Sequence, residues 1–116
     1  MKRIFVCSPL RGDVENNIKN AQKYCRWAAN ECGAVPIAPH LIFPQFLDDN
    51  NEAERQLGIK MGLNLLSTCE ELWYFGETTT QGMYAEINEA LKMKIPVRHI
   101  PDGEITTVED GGIFLS

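Results

Sequence analysis

Short apolar runs alternate with longer helical patterns along this chain, and the alternation constrains the fold more than any other feature. The apolar runs predict four strands, at Arg3–Ser8, Val35–Ala38, Glu71–Phe75 and Pro96–Ile100. Apolar residues at helical spacing predict helices between Asp13 and Gly33, at Glu52–Thr68 and at Gln81–Met93. Such alternation indicates an α/β fold, with helices on both faces of a mainly parallel sheet of four or five strands. The predicted architecture is a three-layer sandwich.

The position of the first strand predicts where a ligand would bind. Its apolar run Ile4–Cys7 is typical of a central strand that is covered on both faces, whereas Pro36 favours an edge position for the second strand. The expected strand order is therefore 2-1-3-4. In such sheets ligands bind beyond the carboxyl ends of the strands, where the strand order reverses. The loops at that crevice are Ser8–Asp13 and Gly76–Gln81.

Composition limits the class of protein. The 116 residues suit a single domain, 1–116, whose last part, 101–116, is a tail or an added edge strand. A net charge of -5 without a basic block argues against nucleic-acid polymers and against anionic membranes as partners. We see neither a signal peptide nor a run of transmembrane length, and a cytoplasmic location is expected. No residues have metal-ligand spacing, and no cofactor is predicted. Four cysteines, expected to be reduced and buried, are Cys7, Cys25, Cys32 and Cys69.

The two crevice loops carry groups that suit an anion or a sugar. Ser8, Arg11 and the Gly12 amide follow the first strand, and Thr80 opens the third helix. Glu86 lies about one turn inside that helix, whose dipole is expected to keep the carboxylate ionised. An ionised carboxylate beside a sugar ring can act as a nucleophile or stabilise an oxocarbenium-like centre. The alternative is an ordinary solvated helix glutamate.

The long segment Pro39–Asn51 offers further candidates near the same edge of the sheet. His40 is either a site residue or a histidine that packs the loop. Asp48 and Asp49 could form an acid–base pair or bind a metal, or they could cap the next helix. In that helix Gly58 and Gly62 share a face and are expected to admit the sheet or a partner subunit.

Three motifs in order resemble the nucleoside 2-deoxyribosyltransferase-like superfamily and its hydrolytic branch, the 2'-deoxynucleoside 5'-monophosphate N-glycosidases. The motifs are Phe5–Gly12 after the first strand, Thr80–Glu86 after the third, and Ile95-Pro96-Val97 at the fourth. Thr80 and Glu86 hold the family spacing of a hydroxyl residue six positions before a catalytic glutamate. The resemblance, over residues 3–100, implies a flavodoxin-like fold related to the Rossmann type, a nucleoside or nucleotide ligand, and a homo-oligomer.

The resemblance also implies roles for single residues. Glu86 would attack the anomeric carbon and release the base, while Arg11, the Gly12 amide and Thr80 would hold a 5'-phosphate. The base would lie near Phe46 or His40. The remaining substrate-binding candidates in the matched loops are Ser8, Leu10 and Gly82.

Two positions depart from the family pattern. Phe5 stands where the family has a tyrosine that positions the nucleophile, and Gly62 stands where it has an aspartate. Asp48 or Asp49 could replace that aspartate in space. The predicted activity is therefore hydrolysis or transfer at an N-glycosidic bond, and the alternative is a non-catalytic protein that binds a nucleotide-derived metabolite or signal. A flavodoxin-like redox protein is a third hypothesis.

Overall fold

The computed structural model describes residues 1–105 and confirms the predicted α/β fold. The strands are β1 (Arg3–Cys7), β2 (Val35–Ile37), β3 (Glu71–Phe75) and β4 (Val97–Ile100). The α-helices are α1 (Val14–Cys32), α2 (Glu52–Leu66) and α3 (Gln81–Lys92). The sheet has the order β2-β1-β3-β4 and all three strand pairs are parallel, so the predicted order is confirmed. Most of the predicted tail, from residue 106 onwards, lies outside the described residues.

Side chains of β1 alternate between the two faces of the sheet and so divide the core in two. Ile4 and Val6 pack with α1 in a cluster rich in aromatic rings, where Tyr24 stacks on Phe75 with ring centroids 4.5 Å apart. Phe5 and Cys7 pack with side chains of α2 and α3 in the second cluster. The fold is therefore a three-layer sandwich in which α3 packs directly over the carboxyl end of β1.

Polar side chains mark where the helices begin. Asp13, Asn51 and Thr80 each accept a hydrogen bond from the backbone N–H three residues later, at the starts of α1, α2 and α3. Gly33 ends α1 with φ 61°, a left-handed conformation that glycine adopts without strain. These caps hold the loops that follow β1 and β3 at the same edge of the sheet.

The glycines of α2 face the long segment after β2. A methyl group on Gly58 would lie 3.6 Å from Leu47 Cδ1, and one on Gly62 would lie 3.9 Å from the Pro39 ring. The segment after β2 contains two 3-10 turns, Pro39–Leu41 and Phe43–Gln45. Within the described residues, side chains of the chain's own loop rather than the sheet lie against these glycines, so the expectation that they admit the sheet is wrong, and close approach of a partner subunit stays a prediction.

The four cysteines are free thiols in different environments. Cys7 and Cys69 are buried, and Cys25 is half-buried. Cys32 is exposed, contrary to expectation, because it is the last residue of α1 and lies beyond the part of the helix that packs on the sheet. Among residues 1–105, no helix is long and apolar enough to cross a membrane.

Candidate functional site

A cavity of about 860 Å³ opens at the carboxyl edge of the sheet, where the strand order reverses between β1 and β3. Its walls are the loop after β1, the long segment after β2, one face of α2 and one face of α3. The volume suits a ligand of the size of a nucleoside or a nucleotide. Of the predicted site residues, those that line it are Ser8, Leu10, Arg11, His40, Asp49, Thr80, Gly82 and Glu86.

Glu86 is the sixth residue of α3, and its side chain is half-buried in the cavity wall. Removal from water disfavours the charged form and raises the pKa of its carboxyl to about 7. The expectation that the helix dipole keeps Glu86 ionised is therefore wrong. The dipole acts mainly within the first turn of a helix, and Glu86 lies beyond that turn.

Cys7 is fully buried at the end of β1 and is electrostatically coupled to Glu86, and sequence reasoning did not find it. The Cys7 thiol donates to the Met83 carbonyl oxygen, which lies 3.7 Å from Sγ. Burial raises the pKa of the thiol, and the charge of Glu86 raises it further. The period-two alternation of a strand was the available signal, because it places residues 5 and 7 on one face.

Ser8 and His40 form the part of the cavity next to β1. Ser8 is only 2% exposed, and its Oγ has no hydrogen-bond partner within the described residues. Its carbonyl oxygen lies 2.9 Å from His40 Nε2. Because a carbonyl only accepts, Nε2 carries the hydrogen and Nδ1 of the neutral ring is an acceptor. Burial lowers the pKa of His40, although the Ser8 carbonyl and Asp49 oppose that shift.

An ion pair joins the loop after β1 to the long segment. Arg11 Nε lies 3.1 Å from Asp49 Oδ2, and both residues line the cavity. Asp48 has a different place, because its Oδ1 accepts a hydrogen bond from the Asn50 N–H at 2.9 Å and its side chain is outside the cavity lining. Gly12 also lies outside the lining and has φ 98°, which favours glycine there. The structure thus brings Asp49, and not Asp48, next to the other candidates.

Thr80 caps α3 and also lines the cavity. Its Oγ1 accepts a hydrogen bond from the Met83 N–H at 3.2 Å, and its hydroxyl hydrogen can still be donated to a ligand. Phe46, which the sequence placed near the base, is 63% exposed and outside the cavity lining, whereas Phe43 lines the cavity.

Every cation that lines the cavity has a carboxylate partner. Besides the Arg11 pair, Lys92 Nζ lies 3.1 Å from Glu89 Oε2 and Arg55 lies 4.0 Å from Glu52. The cavity therefore presents no uncompensated positive charge among the described side chains. No group of three or more His, Cys, Asp or Glu residues within 1–105 could hold a metal ion.

Parallel α/β sandwiches of the flavodoxin type bind small ligands where the strand order reverses, and the chain has the fold and the cavity of that class. Within it, the chain belongs to the family described as domain of unknown function DUF7768, which matches residues 2–100. No curated protein matches the chain.

Among solved structures, the chain is similar to a 2-deoxyribosyltransferase from the psychrotolerant bacterium Bacillus psychrosaccharolyticus. The TM-score is 0.65 at 14% identity, and the match covers 85% of this chain and 72% of the transferase. An identity this low shows a common fold, and the flavodoxin-like prediction is confirmed at that level.

Proposed function

We propose that the chain binds a nucleoside or nucleotide in the cavity and breaks its N-glycosidic bond, with Glu86 as the attacking carboxylate. The observation that carries the proposal is Glu86 itself, a half-buried carboxyl in the wall of a nucleoside-sized cavity with a pKa of about 7. Perturbed carboxyls in clefts are frequent at catalytic sites. The fold shared with a 2-deoxyribosyltransferase supports the same class of ligand.

The reaction follows from the groups around Glu86. Its ionised oxygen forms a bond to the anomeric carbon, and the base leaves with the electron pair of the broken C–N bond and takes up a proton. Water then attacks the anomeric carbon, the bond to the Glu86 oxygen breaks with its electron pair returning to the carboxylate, and hydrolysis is complete; attack by a second base in place of water gives transfer. Of the two acid–base candidates only Asp49 lines the cavity, but its carboxylate is paired with Arg11, so the leaving base takes its proton from water. The unpartnered Ser8 hydroxyl and the Thr80 hydroxyl are placed to hold sugar oxygens.

The test is release of free base by the purified protein. Nucleosides and nucleoside 5'-monophosphates are incubated with the protein, with and without a second base, and the products are separated by chromatography. We expect base release or base exchange that Glu86→Gln abolishes. The matched control is Glu89→Gln on the same helix, because Glu89 also lines the cavity but pairs with Lys92. If the wild-type protein leaves every substrate intact, the catalytic proposal is wrong.

A second candidate function is binding without catalysis. Gly62, where the resemblance implies an aspartate, lies against Pro39 and brings no carboxyl to the cavity. A pure binding protein would show a higher Tm with a nucleotide, in wild type and in Glu86→Gln alike, while the nucleotide stays intact. An Arg11→Ala variant should lose that shift if Arg11 holds the phosphate. An unchanged shift in the variant would contradict the phosphate role.

A further inference from the structure

We infer that the Ser8 hydroxyl and His40 Nδ1 form a subsite for a sugar hydroxyl of the ligand, and that the cavity selects an uncharged nucleoside over its 5'-monophosphate. The inference deepens the proposed function and rests on it for the class of ligand. The subsite is the end of the cavity next to β1, where the Ser8 carbonyl oxygen lies 2.9 Å from His40 Nε2.

Ser8 brings a hydroxyl without a protein partner to this end of the cavity. The residue directly follows the last residue of β1, so the central strand fixes its backbone. It lines the cavity at only 2% exposure, and its Oγ has no hydrogen-bond partner within residues 1–105. A buried hydroxyl without a partner is unfavourable, and a ligand atom that accepts its hydrogen would remove that penalty. Ser8 is therefore suited to recognise a ligand rather than to stabilise the fold.

His40 brings an acceptor to the same place. The 3-10 turn Pro39–Leu41 holds its ring, and the contact of Nε2 with the Ser8 carbonyl leaves the lone pair on Nδ1. Nδ1 makes no hydrogen bond within the described residues, and solvent can reach it, in contrast to the Ser8 Oγ. A histidine of ordinary pKa, about 6.5, is mostly neutral at pH 7.5, and burial lowers the pKa of His40 further.

A sugar hydroxyl is a single group that satisfies both atoms. Its oxygen accepts the Ser8 hydrogen, and its own hydrogen is donated to His40 Nδ1. An ionised phosphate could accept from Ser8, but it has no hydrogen for Nδ1, and its oxygens would face that lone pair. The subsite thus distinguishes a hydroxyl from an anion by the direction of the hydrogen bonds.

The charges around the cavity favour the same kind of ligand. Four carboxylates and three cations line it, and each of these cations lies within 4.0 Å of a carboxylate among the described residues. A phosphate monoester would add a charge of about -1.5 to -2 at pH 7. The Gly12 amide, which the resemblance assigns to a 5'-phosphate, is outside the cavity lining. An uncharged sugar meets none of these obstacles.

The first experiment measures how affinity depends on each hydroxyl of the sugar. Adenosine and uridine, their 2'-, 3'- and 5'-deoxy forms and their 5'-monophosphates are titrated by calorimetry into the Glu86→Gln protein, which keeps the glycosidic bond intact. Adding Ser8→Ala should weaken nucleoside binding roughly 5- to 10-fold. One deoxy form, which lacks the recognised hydroxyl, should bind equally with and without Ser8→Ala. The control is Ser67→Ala, because the Ser67 hydroxyl donates to the Asn64 carbonyl oxygen and is outside the cavity lining.

The outcomes separate this inference from the catalytic proposal. Unchanged affinity in Ser8→Ala overturns the subsite, and so does a loss that persists for all three deoxy forms, because Ser8 would then contact the base. Tighter binding of the 5'-monophosphate than of the nucleoside overturns the selectivity. Base release by wild type with unchanged affinity in Ser8→Ala removes the subsite alone, whereas Ser8-dependent binding without release removes the catalytic proposal alone.

Two further readouts do not depend on base release. Without ligand, Ser8→Ala should keep or raise the Tm, and a fall would reveal a partner for the hydroxyl within the fold and overturn the inference. In ¹⁵N spectra of Glu86→Gln we expect the Nδ1 signal of His40 to move upfield when adenosine binds. His99 is the internal control, because its Nε2 also lies against a backbone carbonyl, that of Gly76 at 2.7 Å, outside the cavity lining. A His40 signal that stays in place while adenosine binds overturns the inference.

Discussion

Glu86 links the ionisation of one residue to the stability of the fold. Burial raises the pKa of its carboxyl from the ordinary 4.5 to about 7 in the folded chain. Between these values the folded state holds a proton that the unfolded state has released. The stabilisation that comes from this bound proton is therefore fully present at low pH and is lost as pH rises through about 7. About 1.4 kcal/mol for each pKa unit between 4.5 and about 7 gives a loss of at most about 3.5 kcal/mol.

Replacing this carboxyl by an amide should remove that pH dependence. In wild type we expect the free energy of unfolding to fall between pH 5 and pH 8, and in Glu86→Gln to fall less by up to about 3 kcal/mol. Urea unfolding at both pH values measures the difference. Glu89→Gln, a change on the same helix, is the control. An equal fall in Glu86→Gln and wild type would contradict the raised pKa.

Activity should have the opposite pH dependence. A nucleophile must be ionised, so kcat/KM should rise as pH passes through about 7, in the range where Glu86 loses its proton. The pH profile of base release measures this. A rate that falls over the same range would instead assign Glu86 as the proton donor to the leaving base.

Residue spacing was enough to find Glu86 but could not predict its ionisation. The six-residue interval from Thr80 is written in the sequence, and so is the position one turn inside a helix. The pKa depends on burial and on Cys7, which comes from β1, 79 residues away from Glu86 along the chain. Only tertiary packing brings the two together.

The helix α2 carries two glycines whose absent side chains leave room beside the cavity. A methyl group at Gly58 or Gly62 would meet only ordinary contacts, 3.6 Å from Leu47 and 3.9 Å from Pro39. Glycine inside a helix is less favourable than alanine by about 1 kcal/mol. Both residues line the cavity, so the absence of their side chains leaves more space for a ligand.

Alanine at either position should therefore stabilise the fold and narrow the cavity. We expect Gly58→Ala and Gly62→Ala to raise the free energy of unfolding by about 0.5–1 kcal/mol each. Urea unfolding measures the gain, and the nucleotide-induced shift in Tm measures the loss of space. Gly103→Ala, in the short turn after β4 and away from the cavity, is a control for ligand binding. A destabilised α2 variant would contradict the packing described here.

Thr80 caps the start of α3 and should contribute to stability there. Thr80→Ala removes the acceptor for the Met83 N–H and should destabilise the fold by about 1 kcal/mol. Thr80→Ser keeps the oxygen and should retain most of the stability. Thermal unfolding of the two variants compares the cap directly, and equal losses would show that the threonine methyl group, rather than the hydroxyl, is what matters.

Elements were the most predictable level of this structure. The strand Glu71–Phe75 has the predicted bounds, and other predicted strand and helix ends differ by one or two residues, because alternation and capping residues are local signals. The path of the segment Pro39–Asn51 was not predictable. Its two 3-10 turns and its contacts with α2 depend on packing between residues that are distant in sequence.

At the scale of the whole molecule, charge limits what the cavity can accept. The chain has a net charge of -5, and the cations around the cavity are already paired with carboxylates. A phosphate that binds Arg11 must therefore compete with Asp49 for the guanidinium. The pair is exposed, so its own contribution to stability is within about 1 kcal/mol.

Removing the Asp49 carboxylate that pairs with Arg11 should selectively increase the affinity for phosphorylated ligands. We expect Asp49→Asn to bind a nucleoside 5'-monophosphate more tightly than wild type does and to bind the uncharged nucleoside with the same affinity. Isothermal titration calorimetry of both ligands measures the difference. Equal changes for the two ligands would indicate that Arg11 does not contact the phosphate.

The segment Pro39–Asn51 forms part of the cavity but does not supply the proposed nucleophile. It supplies one wall and packs against α2 at Gly58 and Gly62. Glu86 and Cys7, in contrast, belong to α3 and β1. Relatives with other sequences in this segment could therefore differ in ligand preference while keeping the same reactive carboxyl. Transplanting the segment between relatives is a direct route to new selectivity on an unchanged scaffold.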